Sequence, residues 1–230
     1  MEEIMSSTAR LSYSIDVSSD AGIAGDRDTL GGWPVLDADQ PWPVCNCGQR
    51  MSLYFQLRVP ADVPHFGGDQ LLVFQCPAES DACFPADPQL PAEFWDAPPE
   101  NSHAFWRILL QRNGVAARTA DPYLRPHRLE LHRTEDLDHD NGEGPLQGFK
   151  VGGEPFWVQE PERYRCPCGS ELSFLCQVPE NFEFYHYLND LDESVDCPAF
   201  DDGLLLGNVV YILACPAHCH PAAAYPVCQN

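Results

Sequence analysis

Four cysteines recur in each half of this 230-residue chain in an arrangement that suits a tetrahedral metal: Cys45, Cys47, Cys76 and Cys83, then Cys166, Cys168, Cys215 and Cys219. Zinc takes four soft or borderline ligands, about 2.3 Å away for sulfur, and a turn carrying one pair can meet a strand end carrying the other. A glycine follows each Cys-x-Cys, Gly48 and Gly169, which lets the turn bend until backbone amides face the sulfurs. His218 and His220 flank Cys219, and either is an alternative fourth ligand of the second set. A closed four-ligand zinc leaves no position for substrate, so it would fold the protein rather than catalyse. Two other fates stay open for these sulfurs. They can be small buried hydrophobes without metal, or disulfides, which the odd count of eleven and a reducing compartment disfavour.

The spacing of these residues exposes an internal repeat. Gly31-Gly32-Trp33-Pro34, Cys45-Asn46-Cys47-Gly48 and Gln56 return as Gly152-Gly153-Glu154-Pro155, Cys166-Pro167-Cys168-Gly169 and Gln177, each 121 positions later. An acidic-glycine turn and an apolar run ending in Cys-Pro then recur at 67–77 and 201–216, where the offset grows to 139. The second copy therefore carries about 18 extra residues, in the Phe- and Asp-rich stretch around 180–200. Duplication predicts two similar halves, 1–120 and 121–230, packed as one globular unit.

Short runs rich in β-formers at 52–59, 71–75, 104–110, 128–133, 172–177 and 209–214 predict strands, while 22 prolines and 16 glycines argue against long helices. The expected fold class is α+β but mainly β, with mixed or antiparallel sheets and a few short helices. Gln56 and Gln177, poor acid-base groups, are expected to bond backbone in buried turns. The tryptophans Trp33, Trp42 and Trp157 are expected to pack the loop before each Cys-x-Cys.

Charge narrows the class of partner. Asp and Glu number 35 against 13 Lys and Arg, a formal charge of −22, and lysine occurs once, as Lys150. Such a surface repels phosphate backbones, so nucleic acid is excluded as a partner and a basic protein is the natural one. No run approaches the roughly 18 apolar residues of a membrane helix. The N-terminus lacks the basic start and apolar stretch of a secretory signal, which predicts a cytoplasmic protein. P-loop, nucleophile-elbow, His-Glu-x-x-His and dinucleotide templates are missing, and the acidic run from Asp136 fails the EF-hand template because Asn141 and Gln147 stand where Gly and Glu are needed. Asp190, Asp192, Glu193 and Asp196 form an acidic stretch in the insertion and are the candidate partner-binding residues.

The combination of Gly-Gly-x-Pro, a Trp- and Pro-rich stretch, Cys-x-Cys-Gly, an apolar run with Gln and a β-run ending in Cys resembles the YwqG-like bacterial domain of unknown function. The pattern covers roughly residues 30–83 and 150–220, and Lys150-Val151-Gly152-Gly153 and Trp157-Val158-Gln159 match best. More distantly it is similar to the eukaryotic programmed-cell-death-two proteins and their yeast relative, dedicated chaperones of a basic ribosomal protein of the small subunit. Members of the wider group also occur in bacterial toxin-immunity neighbourhoods. The resemblance implies a non-enzymatic protein that captures a basic protein, as chaperone or toxin neutraliser. The alternative is an enzyme of unrecognised class with a pocket between the repeats.

Overall fold

The computed structural model describes residues 10–79, 81, 87–96, 105–121, 123–136, 147–185 and 203–230. Within them the chain forms twelve strands: β1 Arg10–Ala21, β2 Thr29–Leu30, β3 Val35–Leu36, β4 Ser52–Arg58, β5 Gln70–Gln75, β6 Trp106–Gln111, β7 Val115–Ala116, β8 His127–Asp136, β9 Lys150–Gly152, β10 Ser173–Val178, β11 Val209–Ala214 and β12 Ala224–Gln229. No α-helix occurs among the described residues, and Leu204–Gly207 forms a short 3-10 turn. The protein is mainly β.

Ten strands make one sheet in the order β12-β11-β10-β9-β1-β8-β2-β4-β5-β6, every strand pairing in it being antiparallel, and β3 with β7 makes a separate two-stranded pair. The sheet curls until its edges nearly meet. Trp106 of β6 lies edge-on to Tyr225 of β12, centroids 5.9 Å apart, and Leu110 N donates to Pro221 O at 2.8 Å. Edge strand β12 carries Pro226, whose missing N–H an edge tolerates.

Burial explains which segments became strands. β4, β5 and β11 are apolar on both faces, and all but Arg58 of their residues are buried. They read as continuous Leu, Val, Ile and aromatic runs because both faces are covered. β1 and β8 form the long central pair, running in register from Arg10↔Asp136 to Val17↔Leu129, with one face open to solvent. β1 also pairs with β9, and β8 with β2. The first long strand of the chain is thus bonded on both sides to strands beyond residue 121, and strands from both ends of the chain share the ten-stranded sheet.

The strand order carries a regularity. If β1, β2, β4, β5 and β6 are exchanged with β8, β9, β10, β11 and β12, the order becomes its own reverse. β5 and β11 lie at the 139 offset residue for residue, and β4 and β10 start 121 apart. The register of β4 on β5 shifts between Leu53 and Phe55, and that of β10 on β11 between Phe174 and Cys176, again 121 apart.

Main-chain polar groups are bracketed by two fully buried glutamines. Gln56 Oε1 accepts from Val35 N at 2.9 Å and its Nε2 donates to Trp33 O at 2.9 Å, Thr29 Oγ1 and Asp26 O. Gln177 Oε1 accepts from Phe156 N at 2.9 Å and its Nε2 donates to the carbonyls of Gln147 and Gly148. Each ties the loop before a Cys-x-Cys turn to the strand after it, as expected from their recurrence. Lys150, fully buried in β9, donates to Asp136 Oδ2 at 2.8 Å, and that oxygen also accepts Glu154 N. Burial disfavours its ammonium and the carboxylate opposes that effect, so the Lys150 pKa settles below the usual lysine range. Gly153 lies at φ +70, and a Cβ there would collide with that carboxylate. Hence Gly152-Gly153 lets the backbone close over a buried ion pair.

Candidate metal centres

Two side-chain clusters bring together groups that could hold a metal ion: Cys166, Cys168, Cys215 and Cys219, and Cys45, Cys47, Cys76 and Glu79. In each, one ligand atom per residue lies within 4.8 Å of all the others. They sit at the sheet ends, where β5 and β11 give out.

Each Cys-x-Cys is a tight turn closed by the same bonds. Cys45 N donates to Gln49 O at 2.8 Å, Gly48 N to Cys45 O at 2.9 Å and Met51 N to Pro43 O at 2.9 Å. Cys166 N to Ser170 O, Gly169 N to Cys166 O and Leu172 N to Tyr164 O repeat them, all at 2.8 Å. Gly48 and Gly169 hold φ of +87 and +94, a left-handed region closed at little cost only by glycine. The second pair arrives from the adjoining strand. Cys76 follows β5 and bonds Phe105 O through its N–H at 2.6 Å; Cys215 follows β11 and bonds Ala223 O at 2.8 Å.

Distances suit one ion per cluster. Cys47 and Cys76 sulfurs are 3.6 Å apart, Cys166 and Cys219 3.3 Å, and Cys168 and Cys215 3.5 Å. A tetrahedral ion with sulfur at about 2.3 Å spaces its ligands about 3.8 Å apart, while a disulfide needs about 2.05 Å. The described cysteines are all free thiols.

The electrostatics differ within each turn. Burial pushes the Cys45 and Cys166 thiols up, while Cys47 and Cys168, exposed on the same turns, are pulled down. For Cys47 the main cause is the backbone N–H of Gln49; for Cys168 the Ser170 hydroxyl and then its N–H bring the pKa to about 6. One sulfur per turn is therefore shifted toward the thiolate, while burial holds the other toward the thiol, which a bound cation would displace. Trp95 Nε1 donates to Cys166 Sγ at 3.3 Å, and the surrounding segment is fastened to the second turn by Leu90 N to Arg165 O at 3.0 Å. Trp42, stacked under Arg50 at 3.9 Å and donating to Met51 O at 2.7 Å, packs the first turn.

Seven of the eight cysteines expected as ligands are thus placed in two clusters. Cys83 lies outside the described residues, as do Asp190, Asp192, Glu193 and Asp196. His218 stands apart from the second cluster: its Nε2 meets His65 O at 3.0 Å and its Nδ1 faces Asp69 Oδ2 at 3.5 Å. Glu79 escaped the sequence reading, its carboxylate being the hydrogen-bond partner of Cys45 Sγ at 3.2 Å. Position in the repeat gives no signal for it, since the equivalent residue, His218, stands outside the second cluster. Cys76-Pro77-Ala78 recurs as Cys215-Pro216-Ala217, and Glu79 is the residue that follows, where the second copy has His218.

Compared with known proteins, the chain matches no family model and no curated protein sequence. None of the helical elements among the described residues is long and apolar enough to cross a membrane.

Proposed function

We propose that this chain is a non-enzymatic cytoplasmic binding protein that captures a basic protein, as a dedicated chaperone or a toxin neutraliser, on a duplicated frame held by two structural zinc ions. The observation that carries the binding reading is charge. The chain has a formal charge of −22, and its one lysine is buried against Asp136, so no lysine side chain reaches the surface to offset the carboxylates. An acidic surface of this kind steers a basic partner into encounter, and short-range contacts then hold it. The resemblance of the repeated motifs to YwqG-like and programmed-cell-death-two proteins supports the same reading.

Duplication is supported by the reversible strand order, the two equivalent register shifts, the two glutamine brackets and the identically bonded turns. Zinc is supported by the donor sets, four thiols in one centre and three with a carboxylate in the other. Both use four protein ligands, the pattern of a structural rather than a catalytic ion. The acidic stretch Asp190, Asp192, Glu193 and Asp196 is assigned the steering role.

Affinity capture of the tagged full chain from its own host, at low and moderate salt, tests the function. One basic protein should co-purify near one-to-one and leave as salt rises; the absence of any specific partner at low salt contradicts the reading. Replacing Asp190, Asp192 and Glu193 by lysine should slow association with that partner, and an unchanged on-rate at low salt would remove this acidic stretch from the mechanism.

A further inference from the structure

Where the two edges of the sheet approach, a groove runs over the end of β6. It joins two cavities of about 370 and 390 Å³ that share Asp37, Gln111 and Pro221 in their walls. Asp37, Asp39 and Asp69 give it three carboxylates, and His218 and His220 line the deeper part. The one permanent cation on these walls is Arg112, already committed through its Nε to Asp69 Oδ1 at 2.7 Å.

Two buried polar atoms in this wall lack hydrogen-bond partners: Asp69 Oδ2 and Gln111 Nε2. Their residues are 1% and 3% exposed. The His218 ring meets Asp69 Oδ2 at ion-pair distance but gives it no hydrogen bond. Its Nε2–H is directed at the His65 carbonyl, and its Nδ1 lies 3.5 Å from Asp69 Oδ2 without forming a hydrogen bond. Gln111 uses its Oε1 to accept Asp37 N at 2.9 Å, which leaves the amide N–H groups over. A buried donor or acceptor without a partner costs about 1–3 kcal/mol, so two in one wall mark a place completed by something else.

We propose that this groove takes a basic segment of a partner protein, an arginine or lysine side chain reaching Asp69 while a main-chain carbonyl of the same segment accepts from Gln111. Asp69 Oδ2 requires a donor and Gln111 Nε2 an acceptor, and a peptide residue with a cationic side chain supplies both. Asp37 and Asp39 continue the run of carboxylates along the groove and receive the next basic side chains. The proposal rests on the capture of a basic protein argued above and adds where that protein is held.

Calorimetric titration of the full chain with acetylated, amidated tetra-arginine tests it, with Asp69→Asn, Asp37→Asn and Glu130→Gln compared with the native chain. Asp37→Asn keeps an oxygen for Asn113 N, its present partner at 3.1 Å, so the test survives if Asp69→Asn fails to fold. Glu130, exposed on β8, removes the same charge far from the groove. The two groove variants should each weaken binding about tenfold, the usual scale for one charge-assisted hydrogen bond, and Glu130→Gln less than about twofold. Absence of binding by the native chain, or equal weakening by all three variants, overturns the groove. Free L-arginine binding as tightly as the peptide also overturns it, in favour of a small-molecule site. Capture of the native partner separates the two levels: a partner held equally well by both groove variants sinks the groove alone, whereas a native chain without a partner sinks the binding function.

Discussion

At the residue scale, the thiols are sorted by what surrounds each sulfur rather than by residue type. Cys168 has the Ser170 hydroxyl and N–H aimed at it and titrates at about 6, below the ordinary thiol value of 9.0. A depressed pKa favours the thiolate, so in metal-free protein Cys168 is ionised from about pH 6 upward and loses reactivity below it. Iodoacetamide at pH 7 should therefore label Cys168 before Cys228, and zinc should protect it; equal labelling of the two would contradict the assigned environment. Glu79 leads to a second expectation. Glu79→Ala should lower zinc affinity at the first centre about tenfold or more and leave the second intact, while His218→Ala should leave the zinc content at two; zinc lost with His218 would make it a ligand after all. The cysteine spacing made these sites legible, because sulfur at strand ends and tight turns has few uses. Glu79 was hidden because a carboxylate in an acidic chain carries no signal until its sulfur neighbours are in place.

At the element scale, the half-exposed β8 was legible from its β-forming run at 128–133, and β4, β5, β10 and β11 were legible as continuous apolar runs that fill two layers. β1 was missed for the opposite reason. Ser12 and Ile15 are its only buried residues, and the serine-rich remainder reads as a polar terminus. Its pairing with β8 and β9 joins residues more than a hundred positions apart, which no local pattern reports. The recurrent glutamines were readable as backbone brackets, although not their partners. Gln177→Ala empties a fully buried side-chain site and removes the partner of Phe156 N and of the Gln147 and Gly148 carbonyls. We expect a loss of about 2–4 kcal/mol by chemical denaturation, several times that of an exposed polar-to-alanine change. A loss under about 0.5 kcal/mol would mean that the loop is held by other contacts.

At the scale of the whole molecule, one curled sheet holds the two cysteine turns at its ends, and the groove forms where the sheet edges nearly meet. The second turn's partner loop, from Cys215 to Ala223, crosses that gap through Pro221 O and Leu110 N and carries His218 to the β4–β5 loop. The single lysine is buried, and the chain carries a formal charge of −22. The measurement that tests this account most directly is the native mass spectrum of the full chain, isolated from its own host at low ionic strength without chelator. The account predicts a species carrying two zinc ions and one basic protein, the protein leaving before the metal as ionic strength rises. A bare chain with neither zinc nor partner would contradict it.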